Sequence, residues 1–265
     1  MRPDPADIYV AEPEEPCGTG VLVVAGSSGR TDTARADLLA AHGARALALR
    51  WLGGVGQRTL PHEVPLETFV GALDLLAPDC DRMAMIGTSF GAEATLLTGS
   101  LDPRLCAVVG FSPSSVVWPG FADGRWSSHW TRDGASLPFV PFDEEWTPGA
   151  DPPAYRGLYE ASLPGPAQAV IPVERIAGDV VLVSGGDDRV WPSTAFAAQI
   201  AERRRAHGLD TTVVDHPAAG HRTVLPGEEV VVAGQSMARG GTPEADAELG
   251  RMAWPEIVRA LRLTT

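Results

Sequence analysis

The chain has no lysine: all 21 basic residues are arginine. This excludes Schiff-base chemistry, a phosphate-loop lysine and Ser–Lys catalysis. Cysteine is scarce as well. Cys17, Cys80 and Cys106 show no C-x-x-C spacing, so neither a disulfide framework nor a metal site is suggested. Cys80 and Cys106 flank apolar strands and read as ordinary buried thiols. No apolar run approaches the ~20 residues of a transmembrane helix, and residues 1–7 lack the apolar core of a signal peptide. The expectation is a cytoplasmic protein with no membrane partner. Positive charge is also in deficit, with 34 acidic residues against 21 basic ones and a net charge of −13. That opposes nonspecific binding to nucleic acid or anionic membranes.

A hydrophobic content of 44% over 265 residues is enough for the core of one large α/β domain, read here as spanning 1–265. Strand-like and helical runs alternate, which points to a mostly parallel sheet flanked by helices. Val21-Leu22-Val23-Val24-Ala25 is a continuous apolar strand near the start, ended by Gly26-Ser27-Ser28-Gly29. A helix over 33–42 with Gly43 as its C-terminal cap and a strand over 44–49 follow. Pro65 suits the first turn of a helix bearing Leu66, Phe69, Val70, Leu73 and Leu76, which Pro78 ends. Strands are expected at 82–86, 105–109, 180–183 and 211–214. Ser193 caps a helix ended by Gly208, and Thr242 with Pro243 opens a final helix that Pro255 should kink or divide.

Residues 113–172 break this rhythm, holding ten of the 23 prolines and four of the seven tryptophans. Sixty residues is long for a plain loop in a compact domain. Trp118, Trp126, Trp130 and Trp146 argue against a disordered linker, because disordered segments are poor in aromatics. The segment reads as a cap insertion over the site rather than a second core, with Trp118, Trp130 and Trp191 as candidate substrate contacts.

The site itself is announced by Gly87-Thr88-Ser89-Phe90-Gly91. With 29 glycines in the chain, a chance G-x-S-x-G arises in roughly one such sequence in six. Context gives it weight: an apolar strand precedes it and a helical run follows, the setting of a nucleophile elbow. A serine needs a base, and the base needs an orienting acid. On this strand–turn–helix plan the acid comes next in the chain and the histidine last. Ser184-Gly185-Gly186-Asp187-Asp188 follows the 180–183 strand, and Pro217-Ala218-Ala219-Gly220-His221 follows the last strand. The spacing from Gly185 and to Pro192 favours Asp188 over Asp187, which would cap the turn. His221 is favoured over His216, which comes too soon after the strand. His42 and His207 precede helix-ending glycines, His62 lies in a loop and His129 in the cap. The backbone N–H of Phe90 is one expected oxyanion donor, and that of Ser27, or of Ser28, is the other.

Taken with Ile171-Pro172-Val173-Glu174-Arg175-Ile176, Gly186-Asp187-Asp188-Arg189-Val190-Trp191-Pro192-Ser193 and Gly220-His221, the elbow and its continuation Ala92-Glu93 give the chain a family look. It resembles the acyl-CoA thioesterases and bile-acid-CoA:amino acid N-acyltransferases in their C-terminal α/β-hydrolase domain, related to dienelactone hydrolases. The resemblance runs from about residue 18 onward. It implies nucleophile Ser89, acid Asp188 and base His221, with no cofactor and a small-molecule acyl thioester or ester as substrate. Members that transfer to amino acids look as though they prefer a cysteine nucleophile, so Ser89 favours hydrolysis over transfer or cyclisation. With the first strand read near residue 20, the eukaryotic members' N-terminal β-sandwich is not expected, so their substrate range is not carried over. Coenzyme A is anionic, and Arg30, Arg125, Arg132, Arg189 and Arg222 are the candidates for a local positive rim against the overall charge. A non-catalytic binding protein on the same fold is the reading from a different class.

Overall fold

The computed structural model describes residues 1–149, 151–230 and 235–264. In chain order its strands are β1 (Ile8–Ala11), β2 (Thr19–Val24), β3 (Arg45–Leu49), β4 (Val64–Pro65), β5 (Arg82–Thr88), β6 (Leu105–Phe111), β7 (Pro119–Ala122), β8 (Arg125–Ser128), β9 (Trp130–Arg132), β10 (Ala135–Ser136), β11 (Asp179–Gly185) and β12 (Thr212–His216). The helices are α1 (Thr33–Ala41), α2 (Glu67–Leu76), α3 (Phe90–Leu101), α4 (Arg156–Ala161), α5 (Ser193–Ala206) and α6 (Pro243–Leu261).

Among the described residues seven strands build the central sheet in the order β1-β3-β2-β5-β6-β11-β12. All pair in parallel except β1, which runs antiparallel to β3 at one edge. Every residue of β2 is buried. Its alternation divides two cores: Leu22 and Val24 pack on the side of α2, α3 and α5, and Val21 and Val23 on the side of α1 and α6. A sheet covered on both faces explains why its strands read as unbroken apolar runs.

Four sequence expectations need correction. The sheet begins before residue 20, because β1 is a four-residue edge strand, largely exposed and set among polar neighbours that hide it. Pro65 lies in β4, where Val64 and Pro65 pair with Trp130 and Thr131, and α2 starts only at Glu67. Ser193 sits inside α5; its hydroxyl donates to the Gly185 carbonyl at 3.4 Å. Helix α6 continues through Pro255 without a break. A proline removes one ladder bond, and Leu249, Ala253 and Ile257 on one buried stripe press both halves onto the same core. Thr242 caps α6 as expected, accepting from the Ala245 N–H at 3.2 Å.

The 113–172 segment is folded, and it does carry a small core. β7 and β8 form a hairpin, and β9 lies between β10 and β4. Val116, Trp118, Val140, Tyr159 and Ala169 cluster with Trp191 and Phe196 of the main body. Trp130 instead enters the main core, 5.1 Å from Trp51 and 5.7 Å from Phe69 between ring centroids. Cys80 and Cys106 are only half-buried, and burial pushes both thiols up from their ordinary value. No helix among the described residues is long and apolar enough to cross a membrane.

Candidate active site

The C-terminal ends of the central strands converge where α/β sheets generally hold their ligands. β5 passes into α3 through Ser89, whose backbone takes φ 58° and ψ −122°. A side chain in that conformation is strained by about 1–3 kcal/mol, the cost of lifting the hydroxyl clear of the sheet. The flanking glycines are dictated by space. A Cβ on Gly87 would lie 2.1 Å from the Gly91 carbonyl oxygen, and one on Gly91 would lie 2.4 Å from that of Ala25.

The three side chains expected to act together are brought together. His221 Nε2 lies 2.9 Å from Ser89 Oγ, and His221 Nδ1 lies 2.8 Å from Asp188 Oδ2. Asp188 is fully buried, and its other oxygen accepts the N–H groups of Val190 at 2.8 Å and Trp191 at 3.2 Å. Those two bonds fix the carboxylate before the imidazole arrives. His221 is positioned from behind by the Ser112 hydroxyl, which donates to its carbonyl at 3.0 Å, and by the edge of Trp191. Arg156 of α4 donates to the carbonyls of Gly186 and Asp188 at 3.2 Å, tying the 113–172 segment to the acid loop.

Asp187 points elsewhere. It accepts from the Gly241 N–H at 2.9 Å and from Arg189, and the Gly241 bond does most to hold its carboxyl below the ordinary range. Its task is to pin the 239–241 loop. His216 accepts from the Ala218 N–H at 3.3 Å in the turn after β12, and His42 meets the Thr264 carbonyl at 3.1 Å. His62 is completely buried, and among the described residues neither ring nitrogen has a hydrogen-bond partner.

Ser27, Ser28 and Phe90 border the same cavity as Ser89. The chain at Gly26 runs so close that a Cβ there would sit 3.8 Å from Ser89 Oγ. Trp51 holds this turn by donating from its indole to the Ala25 carbonyl at 2.8 Å. The Phe90 N–H begins α3 and belongs to the first helical turn, whose amides have no partner within the helix.

The cavity has a volume of about 420 Å³. One wall comes from the 113–172 segment through Phe121, Trp126, His129, Phe142, Tyr155 and Tyr159. Trp118, Trp130 and Trp191 do not reach the cavity: each is fully buried, supporting the wall from behind. Tryptophan marked the right segment, but only packing decides which ring faces inward. Trp118→Ala is therefore expected to cost about 3–5 kcal/mol of stability. Trp126, 46% exposed, should cost no more than about 1 kcal/mol when truncated while raising KM. Thermal denaturation alongside steady-state kinetics checks the pair.

Four arginines, Arg30, Arg35, Arg222 and Arg239, border the cavity together with the carboxylates Asp32, Glu228 and Glu229, and Arg30 pairs with Asp32 at 3.0 Å. Burial, then the neighbouring Arg239 and Arg30, lower the Arg222 pKa, while burial alone lowers that of Arg239. Of the five rim candidates only Arg30 and Arg222 belong here. Arg125 pairs with Glu63, Arg132 with Asp133 and Arg189 with Asp187 on the outside. Sequence reasoning missed Arg35 altogether. It is buried under Phe111, pairs with Glu228 at 2.7 Å and donates to Thr88 Oγ1 at 3.2 Å beside the nucleophile. It also missed the buried pair Glu93 and His129, although a glutamate within the apolar run from Ala92 to Leu97 was a visible signal. Among the described residues no group of three or more His, Cys, Asp or Glu could hold a metal ion.

A mostly parallel sheet with helices on both faces and a serine elbow at its C-terminal edge defines an α/β-hydrolase fold. Solved structures agree on the fold: a Klebsiella pneumoniae protein described as a dienelactone hydrolase superposes with a TM-score of 0.61 at 17% identity, covering 96% of this chain and 92% of that one. A monoacylglycerol lipase from Paleococcus ferrophilus gives 0.55 at 17% identity, covering 96% and 98%. The chain belongs to the BAAT / acyl-CoA thioester hydrolase C-terminal family, whose model matches residues 64–263. Human acyl-coenzyme A thioesterase 6 is 25% identical over 92% of this chain and 60% of its own length. Mouse acyl-coenzyme A amino acid N-acyltransferase 2 is 28% identical over 92% and 59%. The chain thus spans about 60% of the length of these curated relatives.

Proposed function

We propose that the protein is a serine hydrolase of thioesters or esters, working through an acyl-Ser89 intermediate. The carrying observation is the imidazole of His221, which reaches Ser89 Oγ at 2.9 Å and Asp188 at 2.8 Å on its two nitrogens. As Ser89 Oγ attacks the substrate carbonyl, His221 Nε2 takes the hydroxyl proton. The oxyanion that forms is met by the backbone N–H groups of Phe90 and Ser27. His221 then gives its proton to the departing thiol or alcohol as the carbonyl re-forms. Water enters, loses a proton to the same nitrogen and releases the acid, restoring Ser89. Asp188 keeps the Nδ1–H tautomer and stabilises the imidazolium.

Acyl-CoA is the first substrate class to test, because both curated relatives carry it in their names. The four arginines that border the cavity outnumber its three carboxylates, a small local positive excess within an acidic protein that supports the choice. The test is a thioester turnover reaction with and without glycine as an amine acceptor, quenched for mass spectrometry. Free acid as the sole product and an acyl mass on the Ser89 peptide are expected. An N-acyl product would replace hydrolysis by acyl transfer, and turnover without any adduct would remove the covalent route.

A further inference from the structure

A second acid–imidazole pair, of which only the histidine borders the cavity, is not used by the chemistry described above. Glu93 lies one turn into α3, completely buried. Its Oε1 accepts the backbone N–H of Trp118 at 3.1 Å and the indole N–H of Trp130 at 2.7 Å. Its Oε2 lies 3.2 Å from His129 Nδ1. A carboxylate only accepts, so His129 donates from Nδ1, and the tautomer this contact selects has its lone pair on Nε2. The ring borders the cavity, 2% exposed and 4.2 Å from the Phe90 ring, next to the nucleophile in sequence.

Packing alone does not call for this arrangement. Burying a carboxylate is expensive unless it is fully hydrogen-bonded. The N–H donors from residues 118 and 130 serve the interior, whereas the imidazole is the one donor of the three whose residue borders the cavity. Held by an acid behind it, such a ring presents a single acceptor at a fixed angle, as second-shell carboxylates do for other functional histidines. The surrounding wall is aromatic: Phe90, Phe121, Trp126, Phe142 and Tyr159. Burial, then the Glu93 charge, push the Tyr159 phenol up and keep it neutral. The carboxylate on this wall, Glu93, is already occupied by three N–H donors and lies behind the ring, so it offers a ligand ammonium no direct partner. An uncharged hydroxyl fits the chemistry better.

We propose that His129 is a substrate-positioning residue whose Nε2 accepts a hydrogen bond from a hydroxyl on the substrate, so that the site selects hydroxylated over unsubstituted acyl or alcohol groups. The inference rests on the reading of this cavity as the substrate site of Ser89. It is tested on Ser89→Ala, which needs no turnover, with two matched pairs of aryl esters. One pair differs by a hydroxyl on the acyl ring, the other by a hydroxyl on the alcohol ring. Calorimetry should show the hydroxylated member of at least one pair binding roughly tenfold more tightly, as a hydrogen bond to a site built for it requires. Adding His129→Phe should erase that preference, bringing the affinity ratio within each pair to about one. Equal binding within both pairs, or a preference that survives His129→Phe, overturns the proposal. Should His129→Phe fail to fold, the ¹⁵N shift of His129 Nε2 in Ser89→Ala decides: it should move with the hydroxylated ester and not with its partner, and no movement overturns the role. A failure of the hydrolase reading looks different, because the wild type would then leave all four esters intact while the binding preference stayed measurable.

Discussion

Ser89→Ala is expected to lower kcat on a short-chain thioester or nitrophenyl ester by about 10⁴- to 10⁶-fold, with KM little changed. The size follows from what is lost: without Oγ there is no covalent intermediate, and His221 has no proton to move. The oxyanion donors and the cavity remain, so residual catalysis above water is expected rather than none. A backbone control accompanies it. At φ 58° any side chain is strained, so Ser89→Gly should be more stable than Ser89→Ala by about 1 kcal/mol, since both lack the hydroxyl and only glycine relaxes the turn. Stability rising while activity stays lost would mark position 89 as strained for chemistry. Unchanged turnover in Ser89→Ala would remove this serine from the mechanism.

The sheet and the placement of Ser89, Asp188 and His221 past its strand ends were legible in the sequence because each is a local signal read in order. An apolar run of five names a strand buried on both faces, and the residues just past strands 82–88, 179–185 and 212–216 then fall at one edge by topology alone. What was illegible depends on contacts far apart in the chain. Arg35 and Glu228 are separated by 193 residues and look like two surface charges until the fold closes over them. The tryptophans show the limit from the other side. Composition found the segment that walls the cavity, yet Trp118 and Trp130 turn inward and leave the surface to Trp126. His129 was set aside as a cap histidine for the same reason: its partner Glu93 lies 36 positions away, on the elbow helix.

Asp188→Asn is the other change with a large expected effect, and it separates two neighbouring carboxylates that sequence alone could only rank. At 188 the near oxygen already accepts the N–H groups of Val190 and Trp191. An asparagine placed there keeps its carbonyl on those two donors and turns its NH₂ toward His221 Nδ1. That nitrogen must then accept, which moves the ring proton to Nε2, where it blocks uptake of the Ser89 proton. A fall in kcat of about 10⁴-fold is expected, with only a modest loss of stability because the packing is conserved. Asp187→Asn should cost less than about tenfold, since a carboxamide oxygen can still accept from Gly241 N–H and only the exposed pair with Arg189 is weakened. Kinetics on the two variants, each checked by thermal denaturation, decide between the positions. Should Asp187→Asn prove the damaging change while Asp188→Asn stays active, the imidazole is oriented from the neighbouring residue and the tautomer assignment for His221 falls with it.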